Sequence, residues 1–245
     1  AELTGCVSSR GHEMNRPVMP PVKPVSRDKD PRLSFSQQRL WFLDKFEDKR
    51  ATYNIPLALR VCGGLDIDAA ERALNEIIRR HEVLRTVFKG QNDDASDTEL
   101  TGDTSLPSQH IMETHAVRIS QVAFDTLPEC KEEREAEMRR LATEEWERPF
   151  DLSSGPLIRV RILEAGDGEH VLLITMHHII TDGWSMEIFW KEFTVFYEAF
   201  SEGAVATLPP LDIQYADFAE WQRQWLSDDT IEDQLSYWKD ALRGA

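Results

Sequence analysis

Residues 176 to 185 read Met176-His177-His178-Ile179-Ile180-Thr181-Asp182-Gly183-Trp184-Ser185 and follow an apolar run at residues 171–176. Odd and even positions of that run are equally apolar, which is typical of a strand buried on both faces. Successive side chains of a strand point to opposite faces, so His177 and His178 are predicted to diverge. One would support the fold and the other would face a cavity. Gly183 permits a sharp turn before the next segment, which has a helical pattern.

Chemistry alone leaves the role of these histidines open. A buried histidine beside apolar residues is more often a packed core residue, and an ionisable group at a strand end only suggests a site. Asp182, four residues after His178, can orient that histidine or pair with an arginine. We predict no metal site, because adjacent strand histidines diverge and neither an H-x-x-x-H helix nor a cysteine pair accompanies them.

Composition narrows the class of protein. The 245 residues carry a formal net charge of −16, which argues against general nucleic-acid binding and against anionic membrane surfaces. No run of about 18 apolar residues predicts a transmembrane helix. Cys6, Cys62 and Cys130 are few, odd in number and far apart. This usage fits a reducing cytosol, so we expect a cytoplasmic protein without a disulfide framework.

The chain divides into a Pro-rich segment, residues 1–32, and one folded unit, residues 33–245. The first is expected to be an extended linker, with a disordered tail as the alternative. Residues 89–107 are polar and acidic and predict an exposed loop. Elsewhere helical and strand patterns mix, which predicts an α/β (α+β) fold with helices packed on a mixed sheet. The expected strands are 53–61, 84–88, 111–119 and a hairpin of 157–163 with 170–177. The expected helices are 36–46 (capped by Ser36), 65–81, 129–147, 183–201, 213–226 and 230–242.

Four ordered motifs resemble the condensation domains of nonribosomal peptide synthetases, within the chloramphenicol-acetyltransferase-like superfamily. His177–Gly183 matches the HHxxxDG signature. The other three motifs are LSFSQQRLWFL at residues 33–43, RHEVLRTVF at residues 80–88 and YADFAEWQ at residues 215–222. Gly-Trp-Ser after Asp182 favours condensation over epimerisation domains, which usually continue with Val-Ser-Trp. Heterocyclisation domains carry aspartates in place of the histidines.

The resemblance implies amide-bond formation between a donor thioester on an upstream carrier domain and the amine of an acceptor thioester on a downstream one. Both substrates would be attached to the phosphopantetheine arms of these partners, and this chain would bind no cofactor directly. An adenylation domain and a second condensation lobe are expected in the parent chain.

The resemblance also assigns residues. His178, the second histidine of the motif, is carried over as the catalytic residue, and His177 would support the strand. Asp182 is expected to be structural and to pair with Arg80 or Arg85.

Gly183, Trp184 and Ser185 would line the substrate channel. A condensation domain has two similar lobes with the channel between them, and this sequence covers the first, so the isolated lobe is expected to be inactive. Two alternatives stay open: another HHxxxDG acyltransferase of the superfamily, and a non-catalytic lobe that binds carrier proteins.

Overall fold

The computed structural model describes residues 19–46, 51–90, 107–113, 116–166, 168–226 and 228–244. Most of the acidic loop predicted at residues 89–107 lies outside the described residues. The same is true of residues 1–18 of the predicted linker.

Helices and strands are mixed along the chain, and the last three elements are helices. Their bounds are α1 Phe35–Phe46, β1 Asn54–Cys62, α2 Ile67–Arg80, β2 Thr86–Lys89, β3 Ser108–Ile111, β4 Ile119–Val122, α3 Lys131–Glu147, β5 Ile158–Gly166, β6 Glu169–His177, α4 Gly183–Ser201, α5 Tyr215–Trp225 and α6 Asp228–Ala241. Short 3-10 turns precede β2 and follow β4.

A four-stranded sheet organises the fold, with strand order β1-β6-β5-β4. β6 pairs antiparallel with β1 and β5, whereas β4 pairs parallel with β5. The predicted hairpin of β5 and β6 and the predicted mixed sheet are therefore confirmed. β2 and β3 form a separate antiparallel pair.

Hydrophobic cores lie on both faces of this sheet. Leu172, Ile174 and Met176 of β6 belong to the larger core, which includes the apolar faces of α2 and α4. Leu173 belongs to a smaller core with α3. β6 is thus buried on both faces, as its uninterrupted apolar run predicts.

Two sequence expectations are wrong in detail. Helix α1 is capped by Ser34 rather than Ser36: Ser34 Oγ accepts from the Gln37 amide at 3.1 Å, and Gln37 Oε1 accepts from the Ser34 amide at 3.1 Å. This reciprocal pair is a capping box. The single strand expected at 111–119 is wrong: Ile111 ends β3 and Ile119 begins β4, and these two strands belong to different sheets. One reason is that the Asn75 side chain binds the backbone of Val117 in both directions, at 2.8 and 2.9 Å.

Part of the predicted linker packs against α5. The Trp221 indole donates to the Pro20 carbonyl at 2.7 Å, and Asp217 accepts from the Val25 amide at 2.9 Å. Asp217 also accepts from Arg27 at 2.8 Å, while Arg32 forms an ion pair with Glu220. Segment 19–32 is therefore docked on the fold, and the proposed boundary at residue 32 stays a prediction.

Candidate functional site

The end of β6 separates the two histidines. His177 is 0% exposed, whereas the next residue, His178, is exposed. The strand backbone holds this point through hydrogen bonds from the His177 amide to the Leu157 carbonyl and from the His178 amide to the Tyr53 carbonyl. The predicted divergence of the two imidazoles follows from this alternation.

His178 is oriented by the turn that follows it. Its Nδ1 lies 2.7 Å from the Thr181 carbonyl oxygen. A carbonyl oxygen only accepts hydrogen bonds, so Nδ1 carries the proton in this contact and the neutral ring keeps its lone pair on Nε2. The exposed imidazole is therefore held in the tautomer that can take a proton at Nε2.

His177 has the opposite tautomer. Its Nδ1 accepts from the Ile179 amide at 3.1 Å, so the proton of the neutral ring sits on Nε2. This Nε2 has no hydrogen-bond partner among the described residues, and the rings of Tyr53 and Phe150 lie 6.4 and 6.2 Å from the imidazole. Burial lowers the pKa of His177 to about 4, with a smaller contribution from the charge of His178. His177 is thus a neutral, packed residue.

Asp182 caps helix α4. Its Oδ1 accepts from the Ser185 amide at 2.8 Å and from the Ser185 hydroxyl at 2.7 Å. These two bonds are the main reason that the pKa of Asp182 is lowered. The predicted ion pair of Asp182 with Arg80 or Arg85 is wrong: among the described residues Asp182 binds Ser185 and forms no salt bridge with either arginine.

Arg80 and Arg85 hold the end of α2 and the turn after it. Arg80 Nε donates to Glu192 of α4 at 2.9 Å, and His81 Nε2 lies 2.7 Å from the other oxygen of the same carboxylate. Arg85 donates to the Met112 carbonyl. Glu192 is only 8% exposed, and sequence reasoning missed it, because its burial depends on how α2 packs against α4.

The predicted channel residues form the first turn of α4. Trp184 is 75% exposed. Gly183 does not have the left-handed φ that would require glycine, and a Cβ at this position meets no atom within 4 Å. The backbone turn therefore does not demand glycine, contrary to the expectation from sequence. The amides of Trp184 and Ser185 are hydrogen-bonded to Asp182 and are not free for a substrate.

A second layer of buried polar groups supports the turn. Gln37 of α1 is buried, and its Nε2 lies 3.5 Å from the Ile179 carbonyl oxygen. Ser34 Oγ lies 3.0 Å from the hydroxyl of Tyr215 on α5. The motifs at residues 33–43 and 215–222 therefore contact each other behind the histidines. Their spacing along the chain did not predict this contact.

Neither a metal cluster nor a membrane helix is present within the part of the chain that the structure covers. No group of three or more His, Cys, Asp or Glu side chains there could hold a metal ion. No helix among these residues is long and apolar enough to cross a bilayer.

We predict that Asp182→Ala lowers the free energy of unfolding by about 1 kcal/mol, the usual cost of losing an N-cap. Asp182→Asn keeps an oxygen that accepts from Ser185 and is expected to cost less. Chemical denaturation of the wild type and both variants measures these differences. A loss of about 3–5 kcal/mol in both variants would instead indicate a broken buried ion pair.

We predict a pH-dependent contribution of His177 to stability. The folded state depresses the pKa of His177 to about 4 from 6.5, so the unfolded chain binds a proton first as the pH falls. Stability from this group is complete above about pH 6.5 and is lost as the pH falls towards 4, by roughly 3 kcal/mol at about 1.4 kcal/mol for each pKa unit.

His177→Asn tests this expectation, because its amide oxygen can still accept from Ile179 while the side chain no longer titrates. Chemical denaturation of both proteins from pH 7 to pH 4 should show that the free energy of unfolding falls less in the variant than in the wild type. Both proteins have the same carboxylates, so these contribute equally to the two curves of stability against pH. Parallel curves would contradict the lowered pKa of His177.

Relatives of this chain are peptide synthetases. A profile of the family "Condensation domain" matches residues 28–245. A linear gramicidin synthase of Brevibacillus parabrevis is 45% identical over 92% of this chain, which spans 3% of that protein. Phosphinothricin tripeptide synthetase PhsC of Streptomyces viridochromogenes is 41% identical over 87% of this chain, which spans 18% of it.

Solved structures share the fold. The X-domain from teicoplanin biosynthesis superposes with a TM-score of 0.75 at 30% identity, over 92% of this chain and 46% of the other. The starter condensation domain of rhizomide synthetase RzmA superposes with a TM-score of 0.71 at 20% identity, over 89% and 49%. The chain thus spans about half of each solved relative.

The family match over residues 28–245 includes the four motifs, and relatives that are more than 40% identical cover most of the chain. This chain therefore belongs to the condensation-domain family of the nonribosomal peptide synthetases.

Proposed function

We propose that this chain supplies the His178 half of a site that forms amide bonds in nonribosomal peptide synthesis. The donor is an aminoacyl or peptidyl thioester on an upstream carrier domain, and the acceptor is the amine of an aminoacyl thioester on a downstream one. Both arrive on phosphopantetheine arms of partner domains, and the reaction takes place in the cytoplasm. An adenylation domain of the parent protein loads such carriers.

One observation carries the proposal: the exposed His178 is held with its proton on Nδ1 by the Thr181 carbonyl. In the proposed step the amine nitrogen attacks the thioester carbonyl carbon, a C–N bond forms, and the C–S bond breaks. Nε2 of His178 accepts the amine proton and returns it to the departing thiolate. A thioester is already activated, so positioning and one proton transfer suffice.

The neighbours of His178 have supporting roles in this proposal. His177 anchors the strand end in the core, and Asp182 fixes the start of α4. Gly183 leaves open space beside the motif, while Trp184 and Ser185 border the substrate path. Arg80 and Arg85 keep the turn after α2 in place.

The other wall of the path is proposed to come from a second lobe, since the solved relatives are about twice as long as this chain. Residues 33–245 form the first lobe and residues 1–32 the connection to a preceding domain. Holding two tethered substrates at reacting distance is worth about 7–11 kcal/mol and needs a closed site. The isolated chain is therefore expected to be inactive.

A protein-binding role is the second candidate. The teicoplanin X-domain, 30% identical to this chain, was solved as a complex with OxyB. A domain of this fold can thus serve as a docking surface for another protein. For this chain the second role would be the binding of carrier domains without catalysis.

We predict that His178→Ala in the full-length parent synthetase lowers the rate of single-turnover condensation by about 10²–10⁴-fold, the usual range for a general base. His110→Ala is the matched control, because His110 is also an exposed histidine and lies on β3, away from the motif. Donor and acceptor carriers are loaded beforehand, and dipeptidyl product is measured by mass spectrometry. Normal product from His178→Ala would remove the catalytic assignment of His178, whereas a wild-type protein that binds the carriers but forms no product would favour the second candidate.

A further inference from the structure

We propose that a small apolar pocket beside His178 receives a branched aliphatic side chain of one of the two substrates and thereby selects for it. This inference rests on the proposed function of the His178 site. The pocket has a volume of about 90 Å³ and lies between the end of α2, the end of β6 and the first turns of α4. Its apolar lining includes Val83, Leu84, Met176, Ile180, Ile188 and Phe189.

The pocket adjoins the histidine motif directly. Thr181 and Ser185 form part of its wall. The carbonyl of Thr181 orients His178, and Ser185 is the partner of Asp182 at the start of α4. Met176, another wall residue, is the second-last residue of β6, which ends at His177 immediately before His178. In this proposal the side chain of a substrate that reacts at Nε2 of His178 extends into the pocket.

The walls of the pocket are fixed. Leu84, Ile180 and Phe189 are buried in the main core. Beside them, Glu192 of α4 binds both Arg80 and His81 and joins the two helices that flank the pocket. Ile188 is 40% exposed and stands at the mouth. A rigid, apolar pocket with one exposed edge keeps its shape without a ligand.

Size and chemistry define the occupant. An apolar cavity of about 150 Å³ holds benzene, so about 90 Å³ suits a group of three or four carbons, such as the side chain of valine or leucine. The described residues of the lining offer no unpaired charge, because His81 is bound to Glu192. Burying a charged side chain here would leave it uncompensated.

The test varies both the substrate and the mouth of the pocket in the full-length parent synthetase. Ile188→Trp narrows the mouth. Val195→Trp is the control, because Val195 lies on the same helix, is 42% exposed and does not line the pocket. Donor and acceptor carriers are loaded separately with glycine or leucine, so that separate arms identify which substrate enters.

Ile188→Trp is expected to lower kcat/KM at least 10-fold when leucine occupies the relevant arm, in line with hydrophobic pockets that discriminate by about 10–200-fold. Glycine in the same arm should react within about twofold of the wild-type rate. Val195→Trp should leave both substrates unchanged. If Ile188→Trp lowers kcat/KM equally for glycine and leucine, or for neither, the proposed role of the pocket is wrong.

A second variant and a binding readout separate this inference from the proposed function. Ile188→Ala widens the mouth and should raise kcat/KM for phenylalanine relative to leucine. If the wild-type protein forms no amide bond at all, the proposed function fails, and the pocket is tested by methyl NMR with leucyl- and glycyl-pantetheine amides. Chemical-shift changes at the Leu84 and Ile180 methyl groups with the leucyl probe alone would support the pocket. Equal changes with both probes, or no change with either, would show that the pocket does not select the side chain.

Discussion

The placement of neighbouring histidines on opposite sides of one strand end governs the rest of this site. β6 is buried on both faces and paired on both edges, so its last residues cannot rotate without breaking the sheet. The alternation of side chains makes the two rings diverge, and β6 ends at His177, so His177 stays in the interior while His178, the first residue beyond the strand, is exposed. Backbone groups within three residues then fix the two rings: the Ile179 amide donates to one and the Thr181 carbonyl accepts from the other. The opposite tautomers are therefore a local consequence of the turn geometry.

The turn itself is held from two directions. Asp182 caps α4 and ties the turn to the helix that follows, while the Glu192 carboxylate joins the same helix to Arg80 and His81 at the end of α2. A buried carboxylate with two cationic or hydrogen-bonding partners is costly to disturb from one side. This cluster explains how a motif at residues 80–88 and a motif at residues 177–183 act as one unit. Their connection is an acid on α4, the helix that begins at Gly183 of the second motif, and it runs through Glu192 rather than Asp182.

Patterns with a local physical cause could be predicted from the sequence. The apolar run of β6, the hairpin with β5 and the spacing of α2 each reflect a single element burying its own face, and the structure confirms them. The cap of α1 also has a local cause, since Ser34 and Gln37 have capping-box spacing, and this spacing distinguishes Ser34 from the predicted Ser36. The partners of Asp182, Arg80 and Glu192 could not be predicted, because each depends on how separate elements pack. The pocket beside His178 is likewise a property of shape, which no single segment encodes.

The central claim is that the two histidines have opposite neutral tautomers, and imidazole nitrogen NMR tests it most directly. Long-range proton–nitrogen correlation spectra of the nitrogen-labelled protein, with both rings neutral, report which nitrogen of each ring carries the proton. His177→Asn and His178→Asn variants assign the two sets of signals. The geometry predicts a proton on Nε2 for His177 and on Nδ1 for His178. A proton on Nε2 of His178 would contradict the account, because the nitrogen facing the substrates would then have no lone pair with which to accept a proton.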